Sequence, residues 1–209
     1  MNDFIALAKG ELGKQIEDYM GNYGMSVKLD GRPLTFEQRA GNCLFRPMQS
    51  KDVPWYVAER GAYGITGEDL VAEYMIGNSG RIKIIQRLGF GKADLVLFAK
   101  ENENIPQMPK VAVPYYYRNI ARKFLPEYDI VEVSGSTEGF VIDSTTDIGL
   151  DITTYLLKPE SERSRTTLAA NGLRIVEKIM STEAVVISEN RSRYTLGDFE
   201  RMLRGNASN

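Results

Sequence analysis

The sequence predicts an α/β protein with two lobes, each built around a mostly parallel sheet. Short segments rich in Ile, Val and Leu alternate with segments of helical character along the chain, and such alternation is typical of βαβ units. The alternation stops at a polar, proline-containing segment, residues 100–109, and then begins again. We therefore expect two lobes of similar build, connected through this segment. Ligands should bind at the carboxyl ends of the strands, in a cleft between the lobes.

Strands and helices can be assigned in order along the first half of the chain. A helix over residues 12–23 is indicated by Ile16 and Met20, four positions apart. Asp52 is a candidate N-cap for a second helix with Pro54 in its first turn, and a third helix is expected over residues 68–74. The apolar runs that predict strands lie at residues 4–7, 44–46, 62–66, 81–88 and 94–99.

The second half repeats this pattern. Strands are expected at residues 110–113, 130–133, 148–152 and 183–188, and helices at 116–125, 137–143 and 173–180. A last helix is expected over residues 196–203, where Thr195 and Asp198 have the spacing of a capping box.

Composition excludes several classes of function. The chain has 209 residues and a net charge of −2, so no global basic field indicates nucleic-acid binding. It contains one cysteine, Cys43, and no histidine, which excludes an internal disulfide, a Cys-rich metal site and imidazole catalysis. The amino terminus resembles no signal peptide and no apolar run reaches membrane-spanning length. We expect a cytoplasmic protein that binds neither nucleic acid nor membrane.

Two glycine-containing segments lie where strands are predicted to end. In Gly64-Ile65-Thr66-Gly67 the glycines would let the backbone approach a ligand and Thr66 would add a hydroxyl; the alternative is a tight strand-to-helix turn. Leu88-Gly89-Phe90-Gly91-Lys92 fits a hinge between lobes with Lys92 near the ligand, or a β-turn joining the strands on either side.

Three further segments admit both a binding and a structural reading. Ser136, in Ser134–Glu138, could bind an anion or cap the following helix. Arg118 and Arg122 share a helix face that is either a phosphate contact or solvated. The tyrosines Tyr115, Tyr116 and Tyr117 could stack on a base or belong to the core.

The most informative stretch is Thr166–Leu173, which follows the predicted strand ending in Asp151-Ile152-Thr153-Thr154. Hydroxyl side chains and backbone N–H groups at the start of a helix form a phosphate site. The alternative is a loop whose hydroxyl groups only cap the helix.

Several motifs occur in a characteristic order over most of the chain. They are Lys9-Gly10, Asp52-Val53-Pro54 with Tyr56-Val57, Gly64-Ile65-Thr66-Gly67 with Asp69, Leu88-Gly89-Phe90-Gly91-Lys92, Arg118–Phe124, Gly135-Ser136-Thr137-Glu138 and Thr167–Leu173. Together they resemble the short form of ATP phosphoribosyltransferase, the first enzyme of histidine biosynthesis.

The resemblance implies a fold, a domain division and partners. The fold is the two-lobed type II fold of periplasmic binding proteins, with residues 1–93 and 181–209 in the first lobe and 94–180 in the second. The short form lacks a C-terminal regulatory domain, and it forms homo-oligomers or assembles with a subunit that resembles histidyl-tRNA synthetase.

The implied reaction transfers phosphoribose from phosphoribosyl pyrophosphate to N1 of ATP, with Mg²⁺, and releases pyrophosphate. The resemblance places Lys9 and Arg46 in catalysis. It assigns to phosphoribosyl pyrophosphate the residues Asp151, Thr153, Thr154, Ser164, Arg165, Thr166 and Thr167. It assigns to ATP the residues Gly10, Thr66, Gly67, Gly91, Lys92, Tyr115, Arg118 and Glu138.

The sequence departs from the family pattern at three places. Glu11 and Ala62 stand where the family usually has Arg and Asp. The phosphate loop of the family, Asp-x-Val-x-Thr-Gly-x-Thr-Leu, is interrupted here by residues 155–163, and Arg165 replaces its glycine. An arginine could bind the phosphate by direct charge pairing. The alternative function is that of a divergent, non-catalytic paralogue that binds a small ligand or regulates another subunit.

Overall fold

The chain divides into two compact units. The computed structural model describes residues 3–29, 38–40, 43–61, 63–163, 166–191 and 195–204. Unit 1 comprises Met1–Gly91 and Glu183–Asn209, and unit 2 comprises Lys92–Thr182. Segment 100–109 lies inside unit 2, so the prediction that it connects the lobes was wrong. The chain passes from one unit to the other at 91/92 and 182/183, where the sequence analysis placed the boundaries at 93/94 and 180/181.

The described residues form eleven strands and eight α-helices. The strands are β1 Asp3–Ala8, β2 Gln38–Ala40, β3 Cys43–Met48, β4 Tyr63–Gly67, β5 Ile82–Arg87, β6 Ala93–Lys100, β7 Lys110–Pro114, β8 Asp129–Val133, β9 Ile148–Thr153, β10 Leu173–Thr182 and β11 Ala184–Glu189. The helices are α1 Glu11–Gly21, α2 Val53–Arg60, α3 Glu68–Gly77, α4 Arg118–Phe124, α5 Glu138–Ile142, α6 Glu160–Arg163, α7 Thr167–Ala170 and α8 Leu196–Arg204.

Both sheets are mixed. Sheet A of unit 1 has the order β2-β3-β1-β4-β11-β5, and sheet B of unit 2 has the order β10-β6-β9-β7-β8. Parallel pairing joins β1 to β3 and β4, and β7 to β8 and β9. The other neighbours are antiparallel. The prediction of mostly parallel sheets was therefore wrong, because β6 and β11, which follow the two passages between units, run antiparallel to their neighbours.

The core of unit 1 lies on sheet A. β1 and β11 are nearly continuous apolar runs because both faces of these strands are buried; Ile5, Leu7 and Ile187 are fully buried. The last helix, α8, packs Phe199 against Tyr63 with ring centroids 5.1 Å apart. This packing brings the end of the described chain back onto unit 1.

The caps of two helices test the sequence analysis directly. At α8 the capping box is confirmed: the Thr195 N–H donates to Asp198 Oδ2 (3.0 Å) and the Asp198 N–H donates to Thr195 Oγ1 (3.3 Å). At α2 the predicted cap was wrong. Asp52 stands at the N-cap position but makes no side-chain cap hydrogen bond, because a 3₁₀ turn, Ser50–Asp52, already leads into the helix.

The segment 173–180, predicted to be a helix, is part of strand β10. β6 lies inside sheet B and is buried along most of its length, and β10 pairs with the edge that β9 leaves open. Unpaired buried N–H and C=O groups are costly, and the β-branched Ile175 and Val176 suit a strand. Tertiary pairing therefore prevails over the apolar spacing that indicated a helix.

The segment Leu88–Lys92 does not form a hairpin. β5 pairs with β11 in sheet A, whereas β6 belongs to sheet B, so the β-turn alternative was wrong. Among the described residues, no helix is long and apolar enough to cross a membrane.

Gly64 in β4 provides a stability test. A Cβ atom there would lie 2.7 Å from both Val53 Cγ1 and Val57 Cγ2 of α2. We expect Gly64→Ala to destabilise the protein by about 1–3 kcal/mol through overpacking, measured by urea unfolding. Gly21→Ala, at the end of α1, is the control because nothing lies within 4 Å of its added Cβ. Equal stabilities of the two variants would refute the close packing of α2 on β4.

Candidate functional site

In unit 1 the ends of three parallel strands meet at one edge of sheet A. The segments that leave this edge are Lys9-Gly10 after β1, Gln49–Asp52 after β3 and the start of α3 after β4. Two of the motifs found in the sequence, Lys9-Gly10 and Thr66-Gly67, therefore lie at the same edge. The carboxyl edge of an open α/β sheet is the usual place for a ligand.

Hydrogen bonds fix these three segments to one another. The Lys9 N–H donates to Met48 O (2.9 Å), the Ser50 hydroxyl to Lys9 O (3.3 Å) and the Thr66 hydroxyl to Ser50 O (2.9 Å). Thr66 is fully buried, so its hydroxyl holds the loop after β3. Sequence reasoning missed Ser50, although its position two residues before the Asp52-Val53-Pro54 motif was a usable signal.

Glycine is favoured at positions 10 and 67 of this edge for two different structural reasons. Gly10 has a φ of 83° and immediately precedes α1, a conformation that glycine adopts readily. At Gly67, an added Cβ would lie 2.3 Å from Asp69 Oδ1, because the buried Asp69 side chain folds against the backbone there. Packing alone therefore accounts for Gly67, and its contact with ATP stays a prediction.

Arg46 lies in β3 opposite Ala6, before the end of the strand. Its guanidinium carbon is 5.7 Å from the ring centre of Phe4 and 5.4 Å from that of Tyr56, within range of cation–π attraction. Lys9, in contrast, is at the strand end and partly exposed. The two cations predicted to act in catalysis thus have different surroundings.

In unit 2, other residues predicted to bind the substrates lie at one edge of sheet B. β7, β8 and β9 are parallel and end there, and β6 begins there because Asp94 pairs with Thr153. Lys92, Arg118 and Thr154 are exposed at this edge. The residues predicted separately from sequence that the fold brings to this edge are Lys92, Tyr115, Arg118, Glu138, Asp151, Thr153 and Thr154.

The tyrosines and arginines at the start of α4 differ in environment. Tyr117 is buried, whereas Tyr115 is 38% exposed and meets Tyr116 edge-on at 5.5 Å. Arg122 pairs with Glu132 of β8 at 2.8 Å. Tyr117 therefore belongs to the core and Arg122 to a surface ion pair, which leaves Tyr115 and Arg118 as the candidates for ligand contact.

Asp151 is the most perturbed acid at this edge. The pKa of its carboxyl group is raised to about 6, chiefly by burial and in smaller part by the nearby charge of Glu138, while hydrogen bonds from Ile152 and Thr137 oppose the shift. The Ile152 N–H donates to Oδ1 (2.7 Å) and the Thr137 hydroxyl to Oδ2 (3.4 Å). A carboxyl group with such a shift is a frequent mark of a functional site.

Short helical turns follow the end of β9 in residues 155–163. A 3₁₀ turn, Tyr155–Leu157, is followed by α6, and the Arg163 side chain donates to Lys158 O (3.2 Å). Ser164 and Arg165, both predicted to bind phosphoribosyl pyrophosphate, lie outside the described residues, as does Ala62. The inserted residues 155–163 thus have regular local structure.

Thr166 and Thr167 are neighbours in sequence with different roles. Thr166 is buried and caps α7: its hydroxyl donates to Arg163 O (2.7 Å) and accepts from the Ala169 N–H (3.4 Å). Thr167 is exposed. The capping alternative is therefore correct for Thr166, and Thr167 is the hydroxyl residue of this pair that faces solvent.

Sequence reasoning missed Asp94. Its carboxylate is 1% exposed; Oδ1 accepts from the Ser181 hydroxyl (2.7 Å) and lies 3.6 Å from Lys178 Nζ. Oδ2 has no hydrogen-bond partner among the residues that the structure describes. An acid inside the apolar run of residues 93–99 was the signal, because buried carboxylates normally have partners.

Comparison with known proteins identifies the family. The sequence profile described as HisG, ATP phosphoribosyltransferase, matches residues 49–204. A Clostridioides difficile protein named ATP phosphoribosyltransferase is 32% identical over 200 residues, which covers 91% of this chain and 88% of that protein. Other relatives with this name are longer, and the chain spans 59% to 63% of their length.

Solved structures share the fold. The ATP phosphoribosyl transferase (HisG:HisZ) complex from Thermotoga maritima matches with a TM-score of 0.75 at 21% identity, covering 98% of both chains. The periplasmic VFT2 domain of Bordetella pertussis BvgS matches with a TM-score of 0.54 at 10% identity, covering 98% of this chain and 85% of that chain. The predicted α/β fold of the type II periplasmic-binding-protein kind is confirmed, and the chain belongs to the ATP phosphoribosyltransferase family.

Proposed function

We propose that this chain is a transferase of histidine biosynthesis that moves phosphoribose from phosphoribosyl pyrophosphate to N1 of ATP and releases pyrophosphate. The observation that carries the proposal is the match of the family profile to residues 49–204. It is supported by the edge of sheet B, which presents the exposed side chains of Lys92, Arg118 and Thr154 and the raised pKa of Asp151. The comparisons give the alternative, a non-catalytic paralogue that binds a small ligand or regulates another subunit, no better support.

The chemistry suits a chain without histidine. Adenine N1 carries a free lone pair, so the attack needs no strong base. The bond between C1′ and the pyrophosphate oxygen breaks, the bond between N1 and C1′ forms, and pyrophosphate leaves with the electron pair. The main demand is to stabilise the departing negative charge and to align the reactants, which fixed N–H donors and cations accomplish.

Unit 2 provides the phosphoribosyl site in this proposal. Asp151, Thr153 and Thr154 end β9, and Thr167 begins α7. The exposed hydroxyls of Thr154 and Thr167 donate to the 5-phosphate, together with Ser164 and Arg165. Asp151 accepts from the hydroxyl groups of the ribose, and Thr166 acts indirectly by capping α7.

Each unit, taken by itself, offers candidate contacts for the nucleotide. In unit 1, Lys9 interacts with phosphate oxygens, and Gly10, Gly67 and Gly91 offer backbone contacts, while Thr66 holds the loop after β3. Arg46, which lies against aromatic rings, adds positive charge nearby. In unit 2, Lys92 and Arg118 pair with phosphates, Tyr115 contacts the adenine and Glu138 accepts hydrogen bonds from the nucleotide.

Mg²⁺ enters the proposal as an ion carried by the substrates. The described residues contain no group of three or more His, Cys, Asp or Glu side chains that could hold a metal. Mg²⁺ commonly binds through one or two carboxylates plus substrate phosphates, and Asp151 with Glu138 fits that requirement. The ion would neutralise charge on the pyrophosphate.

The proposed partner is a subunit that resembles histidyl-tRNA synthetase, or further copies of this chain. Its support is the fold match to the Thermotoga maritima HisG:HisZ complex. The proposed compartment is the cytoplasm, where ATP and phosphoribosyl pyrophosphate are available.

The test is an ultraviolet assay for phosphoribosyl-ATP, with and without the partner subunit. We expect product that depends on both substrates and on Mg²⁺. The contradicting result is no product with the partner present at saturating substrate concentrations.

In the same assay, Lys9→Gln should lower kcat/KM by roughly 10- to 100-fold, because a charge-assisted contact worth about 1.5–3 kcal/mol is lost. Lys14→Gln, at an exposed position on α1, also removes one positive charge close in sequence and should retain activity. Arg46→Gln tests whether Arg46, like Lys9, acts in catalysis. A loss of stability without a change in kcat would show that Arg46 contributes only to packing. Equal activity of Lys9→Gln and Lys14→Gln would remove Lys9 from catalysis.

The neighbouring threonines should respond differently to alanine. Thr166→Ala removes a helix cap and should lower the free energy of unfolding by about 1 kcal/mol. Thr167→Ala should leave stability unchanged and raise KM for phosphoribosyl pyrophosphate roughly tenfold. Thermal unfolding and steady-state kinetics measure the two effects. An unchanged KM in Thr167→Ala, with Mg²⁺ saturating, would exclude Thr167 from the phosphate site.

Asp151→Asn should stabilise the protein while impairing activity. Because the folded-state pKa of about 6 lies above the unfolded value, the folded state binds the proton more tightly, and stability falls as pH rises from about 4 to 6. The variant lacks this loss, so it should exceed wild type by on the order of 2 kcal/mol above pH 6 and match it below pH 4. Denaturant unfolding across pH measures the difference.

Asp129→Asn is the control, since this exposed aspartate starts β8 at the opposite edge of sheet B. A constant difference between Asp151→Asn and wild type at every pH would contradict the raised pKa. A normal KM for phosphoribosyl pyrophosphate in Asp151→Asn would contradict its contact with ribose.

A further inference from the structure

Three side chains of helix α1 lie against the segment Leu88–Gly91. Gln15 Oε1 accepts a hydrogen bond from the Gly91 N–H at 2.9 Å. The ring centroids of Tyr19 and Phe90 are 5.7 Å apart, and Leu12 Cδ1 lies on the side of Gly91 to which a Cβ would point. All of these residues belong to unit 1.

Gly91 is adapted to this contact. Its φ is 64°, which favours glycine, and an added Cβ would lie 2.5 Å from Leu12 Cδ1. A larger residue at position 91 would therefore need both an unfavourable φ and a shift of the Leu12 side chain. The close approach of Gly91 to α1 places its N–H within reach of the Gln15 side chain.

The residues before Gly91 are fixed by β11 instead. The Leu88 N–H donates to Ala184 O and the Ala184 N–H donates to Phe90 O, both at 2.9 Å. Main-chain pairing thus ends at Phe90. The acceptor for the Gly91 N–H is instead the side chain of Gln15 on α1, so the identity of residue 15 decides whether this hydrogen bond forms.

The segment that precedes α1 contains the first residue predicted to contact ATP, Gly10. Lys9 and Gly10 immediately precede the helix, and the Lys9 N–H is fixed to Met48 O at 2.9 Å. The first part of α1, residues 11–15, therefore connects Gly10 with Gly91, two glycines that the family resemblance assigns to ATP.

We propose that Gln15 is a positioning residue for the nucleotide. It acts through Gly91: the hydrogen bond holds the Gly91 backbone in a fixed place relative to Lys9 and Gly10, so that these segments of unit 1 bind ATP in one geometry. This role rests on the proposed function. A surface hydrogen bond that only stabilises the loop is the competing explanation.

Two variants of similar length separate these explanations. Gln15→Glu keeps an oxygen acceptor for the Gly91 N–H, whereas Gln15→Met removes it. Gln107→Met, at an exposed position in unit 2, controls for the change in side-chain chemistry. Titrating ATP at two ionic strengths separates the effect of the charge that Gln15→Glu adds, because salt screens exposed charges.

The readouts are amide hydrogen exchange at Gly91 and ATP affinity by calorimetry. In Gln15→Met we expect exchange at Gly91 to become roughly three- to tenfold faster and ATP affinity to weaken by a similar factor, in line with the loss of one hydrogen bond. Gln15→Glu at high salt and Gln107→Met should match wild type in both readouts. Thermal unfolding should be alike in all four proteins.

Each failure has a distinct pattern. Unchanged Gly91 exchange in Gln15→Met overturns the hydrogen bond itself. Faster exchange with unchanged ATP affinity overturns the positioning role and leaves a surface contact. If wild-type protein binds no ATP, the proposed function fails and this role fails with it, although the exchange result still reports on the Gln15–Gly91 contact.

Discussion

Parallel pairing of strands is the constraint on which the rest of the structure depends. β1 pairs with β3 and β4 in unit 1, and β7 pairs with β8 and β9 in unit 2. Parallel strands end at the same edge, so segments far apart in sequence are brought together there. This pairing unites Lys9 with Thr66 at one edge, and Arg118 with Asp151 at another. Function then depends on what side chains each edge presents.

Many polar groups at these edges stabilise the loops themselves. Hydroxyl groups donate hydrogen bonds to backbone carbonyls of other loop residues at Ser50, Thr66 and Thr166. Exposed side chains, in contrast, are found at Thr154, Thr167 and Lys92. Asp151 differs from both sets, because its burial raises its pKa to about 6 and makes its charge costly to the fold. Residues that bind a ligand often lower the stability of the fold. In the proposed function, the destabilising charge of Asp151 serves to bind the substrate.

Local signals in the sequence predicted much of this architecture. The strands β1, β7 and β9, the capping box of α8 and the two-unit α/β fold follow from apolar spacing, cap chemistry and the ordered motifs. Three features could not be found in this way. Segment 173–180 forms β10 because β6 needs a partner, segment 100–109 lies inside unit 2, and Asp52 makes no cap because a 3₁₀ turn precedes α2. Each depends on pairing or packing between segments distant in sequence.

The candidate site was predicted by residue type but not by geometry. Sequence motifs identified Lys9, Lys92, Asp151 and Thr167, whose exposure or perturbed pKa now supports a role. They could not separate Thr166 from Thr167, because capping and phosphate binding use the same hydroxyl chemistry. Asp94 and Gln15 escaped notice, since their importance lies in contacts with Ser181 and Gly91 that only the fold creates.

The central claim is that the stretch from Asp151 to Thr167, lacking the family's glycine, still binds a phosphoribosyl group. Amide hydrogen exchange with and without phosphoribosyl pyrophosphate and Mg²⁺ tests it most directly. We expect slower exchange confined chiefly to residues 151–154 and 166–170. Saturating ligand that leaves those amides unprotected, or protects a different part of unit 2, would contradict it.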